Sequence, residues 1–400
     1  MSIFLSLKSV QEAKEAIYSI AKAAEKETVA LKNLNGRILA EDIISNENIP
    51  GFTRSTVDGY AVVSKDTVGA GESVPAMLDY TGRVEMGTLS DISIKTGQCA
   101  YVPTGGNVPN GADAVAMIEY CEQIEDDVLV YRPLATGENV VFADEDFAEG
   151  KKIIPAKTIL RPQECGVLAA LGIVEAEVFK KPLIGIISTG NELVEISKKP
   201  PFGKVRDVNT TLCSSFVENE GCIPKVYGII PDEKNELYTA IKKAADECDA
   251  VLISGGSSKD ARDNTSMIIE SLGELLIHGI SISPGKPTII GTVGNKPVIG
   301  LPGHPSSAFV ILSFLVSELL CAMQGIRKEY RTTIAQLTEN IPSAEGREDY
   351  VRVVFKDGYA KPLYSKSGLL STLADSKGIV KIPAGQEGLE AGEEVEVIFW

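Results

Sequence analysis

Histidine, tryptophan and patterned cysteine are scarce in this sequence, and each shortage removes a class of chemistry. Two histidines in 400 residues, His278 and His304, do not support a Ser–His–Asp constellation without strain. Seven cysteines are scattered, odd in number and without a C-x-x-C pair. A disulfide framework and a zinc site are therefore not expected, and a reducing, cytoplasmic setting is. Positive charge is also short. Lys and Arg number 39 against 55 Asp and Glu, for a net charge of −16. An acidic surface of this kind repels nucleic acid and anionic membrane, which excludes both as main partners. Any anion site must then be local, made by backbone dipoles, a few Lys and Arg, or a metal. The longest apolar stretch, around 308–320, is interrupted by Ser313, Ser317 and Glu318 and reads as too short and too polar to span a membrane. The N-terminal "MSIFLSLKSVQE" has no basic start followed by a long apolar core, so no signal peptide is expected.

What is present is an ordinary globular composition, 44% hydrophobic and 24% charged, in a chain long enough for two to four domains. Ser9-x-x-Glu12 reads as a capping box, and Val10, Ala13, Ile17, Ile20 and Ala21 follow helical spacing, giving one amphipathic N-terminal helix. Residues 30–180 hold short β-rich runs punctuated by Gly and Pro ("DGYAVV", "AYVPTGG", "ADAVAMI", "VLVYRPL"), which fit small β modules. From Pro182 the pattern becomes strand–helix alternation. The strands are "LIGIIS", "KVYGII", "AVLIS" and "PVIGL"; the helices are 209–220, with Asn209 as N-cap, then 234–247, 266–274 and an apolar one ending at Met323. This predicts a doubly wound α/β domain. From about Lys328 the β runs "YVRVVF", "GIVKIP" and "EEVEVIF" predict a small barrel or sandwich.

In an open α/β sheet, ligands bind beyond the carboxyl ends of the strands. The loops there, "STGNEL", "PDE", "SGGSSKDARDN" and "LPGHPSS", bring Glu192, Asp232, Asp260 and Asp263 to one edge with two Gly-rich turns. A Gly-Gly after a strand is often only a tight turn, and acidic loop residues are usually solvated; here three separate loops converge with the same combination. Anion-binding backbone and carboxylates share a crevice only if a cation lies between them. Mg²⁺, held by one or two carboxylates and completed by substrate phosphate and water, meets that requirement.

At this point the motifs resemble a family. "PGFTRSTVDGYAV", "VPTGGNVPNGADAV", "GENVVFADEDFAEG", "STGNEL", "SGGSS", "PGKP" and "GLPGHPSSA" follow, in order, the pattern of the MoeA family of molybdopterin molybdenumtransferases and the homologous gephyrin E domain. The resemblance implies a multidomain α/β plus β chain. Its parts would be an N-terminal helix (1–26) packing with the α/β domain, a linking β/α domain (27–45 and 140–180), an inserted β module (46–139), a doubly wound molybdopterin-binding domain (181–327) and a C-terminal β-barrel (328–400). It implies an elongated homodimer with the active site across the subunit interface. The reaction implied is Mg²⁺-dependent insertion of molybdate into the dithiolene of adenylylated molybdopterin, with release of AMP. A molybdopterin adenylyltransferase would be the upstream partner.

The same correspondence implies site residues. Asp58 and Thr104 would be contributed across the interface; Glu192, Asp232 and Asp263 match acidic active-site positions. Asp263 is the first candidate for Mg²⁺, while Glu192 and Asp232 are assigned to the metal or to the pterin. Lys286, Ser307, Arg352 and Ser371 correspond to the molybdate pocket. Gly255, Gly256, Ser257, Pro302, Pro305 and Asp146 are the expected substrate-binding residues. Val141, Gly279 and Ser283 stand where many members carry positive charge; Lys259 and Arg262 are placed to compensate. Three other readings are a neighbouring adenylylating enzyme, disfavoured by the extra β modules, a non-catalytic scaffold, and a variant that handles tungstate.

Overall fold

The computed structural model describes residues 7–255, 259–364 and 370–400; the side chains of 259–263 lie outside that description. The chain divides into two compact units, one formed by 1–27 with 179–400 and the other by 28–178.

The first unit begins with helix α1, Val10–Ile20, and the expected capping box closes its N-terminus. Glu12 N–H donates to Ser9 Oγ at 3.1 Å, and Ser9 N–H donates to Glu12 Oε2 at 2.7 Å. The 28–178 unit is built on a sheet of β1 (Gly59–Val62), β2 (Ala76–Arg83), β3 (Gln98–Val102), β4 (Ala114–Met117), β5 (Cys121–Ile124) and β6 (Asp127–Val130), in the order β4-β1-β3-β2-β6-β5. The four β runs quoted above fall on β1, β3, β4 and β6. Around this sheet, 28–45 and 140–178 form a separate small core with helix α2 (Pro162–Ala170), centred on Leu34, Leu39, Leu160 and Leu168.

The α/β part of the first unit has a six-stranded sheet. Its elements are β7 (Leu183–Thr189), α3 (Asn209–Asn219), β8 (Ile223–Ile230), α4 (Lys234–Glu247), β9 (Ala250–Gly255), α5 (Lys259–Leu272), β10 (Gly273–His278), β11 (Ile289–Val293) and β12 (Lys296–Leu301). The order is β8-β7-β9-β12-β11-β10. The first four strands are parallel; β11 and β10 add an antiparallel edge. Side chains alternate between the two faces, as the pleat requires. Ile184, Ile186, Leu252 and Ile299 face a core shared with α1, α3 and helix α6 (Pro305–Met323), while Ile187, Val251, Ile253 and Val298 face α4 and α5. Both faces are covered, which is why these strands read as nearly unbroken apolar runs.

Three sequence expectations change. Helix α5 starts at Lys259, not near Ser266, so Asp260 and Asp263 fall on its first turns rather than in a long loop; acidic residues suit a helix N-terminus. Asn209 does not cap α3. The cap position is Val208, and Asp207 takes the Thr210 N–H at 3.1 Å. Helix α6, 19 residues, is long and apolar enough by length and composition to cross a membrane. It is 89% buried, so burial in the core, not shortness or polarity, explains it.

The C-terminal part closes into a five-stranded barrel of β13 (Arg331–Leu337), β14 (Glu348–Lys356), β15 (Tyr359–Pro362), β16 (Gly378–Ile382) and β17 (Glu394–Phe399). The circuit is β14-β15-β13-β17-β16 and back to β14. Val353, Val380 and Val397 fill its interior. The short stretch Ile282–Ser283 pairs in parallel with β14 and joins the barrel to the α/β part.

Candidate active site

The carboxyl edge of the sheet is tied together by buried polar groups. Asp207 accepts hydrogen bonds from Ser188 Oγ at 3.0 Å and Thr210 Oγ1 at 2.6 Å. Asn209 Nδ2 reaches Ser254 Oγ at 2.7 Å and the Gly303 carbonyl at 2.9 Å. These bonds fasten the ends of β7 and β9 to α3 and to the loop after β12, so the strand-end loops start from fixed positions. Asp207 and Ser254 were not singled out from sequence, and Asn209 was read only as a helix cap. The only local signal was the D-V-N-T run, which reads as a helix start.

Asp232 belongs to this edge. Its Oδ1 accepts from Thr189 Oγ1 at 2.5 Å, and its Oδ2 lies 3.4 Å from the Asn191 N–H. Glu192 folds back over Gly190, where an added Cβ would lie 2.8 Å from Glu192 Oε2. The two carboxylates thus flank one turn. Gly255 ends β9 so close to β7 that a Cβ there would lie 1.8 Å from the Thr189 carbonyl oxygen. Gly256 and Ser257 lie outside the described residues, as does the Asp263 side chain, although its backbone is in α5.

From Gly255 a cavity of about 150 Å³ opens, lined also by Thr265, Pro302, His304 and Ser307. Pro302 is buried, and Pro305 sits at the first helical position of α6, where its fixed φ suits the helix. Ser307 is also in the wall of a wider cleft of about 550 Å³, with Lys286, Glu345 and Arg347. Arg347 in turn lines a third cleft of about 640 Å³, with Ser306, Asp349 and Arg352. Ser307 and Arg347 are therefore the shared walls of three adjoining cavities. Lys286 is exposed; Ser307 and Arg352 are buried, and burial pulls the Arg352 guanidinium below its ordinary pKa. Ser371 is exposed at the start of a short helix, Ser371–Asp375, and no described cavity joins it to the other three.

In the 28–178 unit, Asp58 and Thr104 are brought together. The Thr104 N–H donates to Asp58 Oδ1 at 2.8 Å. Both residues are exposed, in the turns before β1 and after β3, and β1 and β3 are antiparallel neighbours. Asp146 is exposed elsewhere in the same unit, its N–H bonded to the Ile49 carbonyl at 3.1 Å.

The donor chemistry suits a hard divalent cation. Among the described residues no group of three or more His, Cys, Asp or Glu gathers. Glu192 and Asp232, flanking one turn, are the described carboxylates that would hold such an ion, in the number Mg²⁺ usually takes from protein.

Residues 185–322 match the family model described as "Probable molybdopterin binding domain". Residues 8–172 match "MoeA N-terminal region (domain I and II)" and 335–400 match "MoeA C-terminal region (domain IV)". A Methanocaldococcus jannaschii protein named for molybdopterin biosynthesis is 36% identical, covering 93% of this chain and 91% of its own. The molybdopterin molybdenumtransferase of Bacillus subtilis is 30% identical, covering 98% and 93%. The crystal structure of the molybdopterin biosynthesis MoeA protein of Pyrococcus horikoshii superposes with a TM-score of 0.89 at 34% identity, covering 99% and 100%. The chain belongs to the MoeA family, enzymes of molybdenum cofactor biosynthesis.

Proposed function

We propose that this enzyme inserts molybdate into the dithiolene of adenylylated molybdopterin, with Mg²⁺ required and AMP released. The observation that carries the reading is the run of three cavities joined at Ser307 and Arg347. It begins at the Gly255 edge, where Thr189 also holds Asp232, and ends among cations at the barrel. A long substrate with phosphate at one point and an oxyanion acceptor at another needs such an extended site.

In this reading Glu192, Asp232 and Asp263 hold Mg²⁺ or orient the pterin. When bound, the ion supplies charge neutralisation at the phosphate linkage. The chain itself supplies positioning. Gly255, Gly256 and Ser257 offer backbone N–H groups, and Pro302 and Pro305 fix the wall of the small cavity. Lys286, Ser307, Arg352 and Ser371 receive molybdate, a tetrahedral dianion that cations and hydroxyls suit. Water then attacks the pterin-side phosphorus of the pyrophosphate and AMP leaves, while the dithiolene thiols replace oxo groups of molybdate, which depart as water or hydroxide. The dithiolene sulfurs belong to the substrate, so none of the seven cysteines is needed. Asp58 and Thr104 complete the site from the partner subunit of a homodimer, Asp146 binds substrate, and a molybdopterin adenylyltransferase supplies that substrate. In the same reading the chain has five parts: 1–26, 27–45 with 140–180, 46–139, 181–327 and 328–400.

The test is incubation of the purified protein with adenylylated molybdopterin, Mg²⁺ and molybdate or tungstate. AMP release with formation of metallated cofactor is expected, and chelation should stop it. Binding without turnover would instead mark a non-catalytic scaffold. Turnover with tungstate alone would mark a tungsten-handling variant. Mixing Asp58→Ala and Asp232→Ala proteins should restore activity if each site draws on two subunits.

A further inference from the structure

We infer that Ser306 and Arg347 form a further oxyanion contact, beyond the four residues already assigned to molybdate, with Asp349 as the anchor that aims Arg347. This deepens the proposed function and rests on it.

Ser306 is 1% exposed, and its Oγ has no hydrogen-bond partner among the described residues. A buried hydroxyl is normally satisfied, and leaving one unsatisfied is costly. Ser306 lines the same cleft as Arg347 and Arg352, so an acceptor entering there meets a donor already in place.

Arg347 is held in a way that leaves it available. Its Nε donates to Asp349 Oδ2 at 3.2 Å, while the side chain stays 47% exposed. Among the described residues this hydrogen bond engages the Nε–H, and the guanidinium keeps the planar fork that matches oxyanions. Asp349 is a rigid anchor. It is 5% exposed and accepts from Ser343 Oγ at 2.5 Å. Burial pushes its pKa up, but hydrogen bonds from Ser283 and Ser343 and the Arg347 charge outweigh burial, so the net direction is down. Ser283 comes from the α/β part and Ser343 from the barrel, so the anchor fixes Arg347 where the two parts meet. At the two larger clefts the charged lining is Lys286, Arg347 and Arg352 against Glu345 and Asp349, which leaves a net positive site on an acidic protein.

The ligand class is a tetrahedral oxyanion, either molybdate itself or a phosphate group of the substrate. The experiment measures binding of molybdate alone, and of inorganic phosphate alone, to the full-length protein by calorimetry, with Tm recorded for each variant. Ser306→Ala removes a hydroxyl that has no hydrogen-bond partner among the described residues. It should leave Tm unchanged or raise it, while weakening oxyanion binding about tenfold. Arg347→Lys keeps a charge that can pair with Asp349 but loses the fork, and should weaken binding roughly tenfold to a hundredfold. Lys286→Ala is the reference. If it weakens binding while Ser306→Ala and Arg347→Lys bind as the wild type does, the inference is overturned and the proposed pocket stands. If the wild type binds neither anion, both are overturned. Preference for molybdate or phosphate identifies which oxyanion the contact serves.

Discussion

The Thr104 N–H donates to the carboxylate of Asp58 across 2.8 Å, so a backbone group, not the threonine hydroxyl, sets the direction of that carboxylate. The two roles are separable. Thr104→Ala should leave Asp58 in place and lower AMP release by less than about fivefold, whereas Asp58→Ala should lower it by about a hundredfold or more. Both sites are exposed, and Tm should move little in either variant. Equal losses in turnover would refute the assignment.

Gly255→Ala forces a Cβ to within 1.8 Å of the Thr189 carbonyl. Backbone cannot yield cheaply there, and a loss of about 2–5 kcal/mol is expected in chemical denaturation. Gly166→Ala is the contrasting case. It lies inside α2 with nothing within 4 Å of the new Cβ, and should stabilise by about 0.5–1 kcal/mol.

Asn209→Ala removes the bonds to Ser254 and to the Gly303 carbonyl and strands the buried Ser254 hydroxyl and a half-buried carbonyl. A cost of about 1–3 kcal/mol is expected, with KM for the pterin substrate rising because the loops lose their fixed starts. Hydrogen exchange in residues 301–304 should speed up in this variant and not in Thr104→Ala.

Glu318 predicts a pH dependence. Burial pushes its pKa up, but Lys14 at 2.6 Å, Tyr18 at 2.5 Å and Tyr330 at 3.1 Å hold it below the ordinary value. A carboxylate with a depressed folded pKa contributes stability that is present above its unfolded pKa, about 4.3, and is lost as pH falls through the folded value. Glu318→Gln should therefore cost about 1–3 kcal/mol near neutral pH and flatten the acid limb below about pH 4. An acid limb identical to wild type would show that the cluster does not hold α1 onto α6.

Much of the fold was readable because it follows from local rules. The capping box at Ser9 and Glu12 needs only four residues, and the three inner parallel strands, β7, β9 and β12, announce themselves as apolar runs covered on both faces. The antiparallel strands β10 and β11 were not read as strands, although Gly294-Asn295, both at positive φ, is a hairpin turn joining β11 to β12. The start of α5 was missed because a Gly-rich entry and paired charges read as loop. Helix composition in "KDARDNTSMIIESL" outweighed that reading once the apolar face of Ile268 and Ile269 was packed under β9.

For the site, the sequence alone determined the chemistry: which loops end on the sheet edge, and that carboxylates, glycines and a few cations are concentrated there. Period and spacing carry that information, since strands of period two place their ends together. Only the tertiary structure decided which groups are free to act. It committed Asp207 to a helix start, turned Asn209 across the sheet edge, and used Asp349 to aim Arg347. Those outcomes depend on hydrogen-bond partners distant in the chain, such as Ser254 and Gly303 for Asn209 or Ser283 for Asp349, and no local pattern encodes a partner chosen by folding.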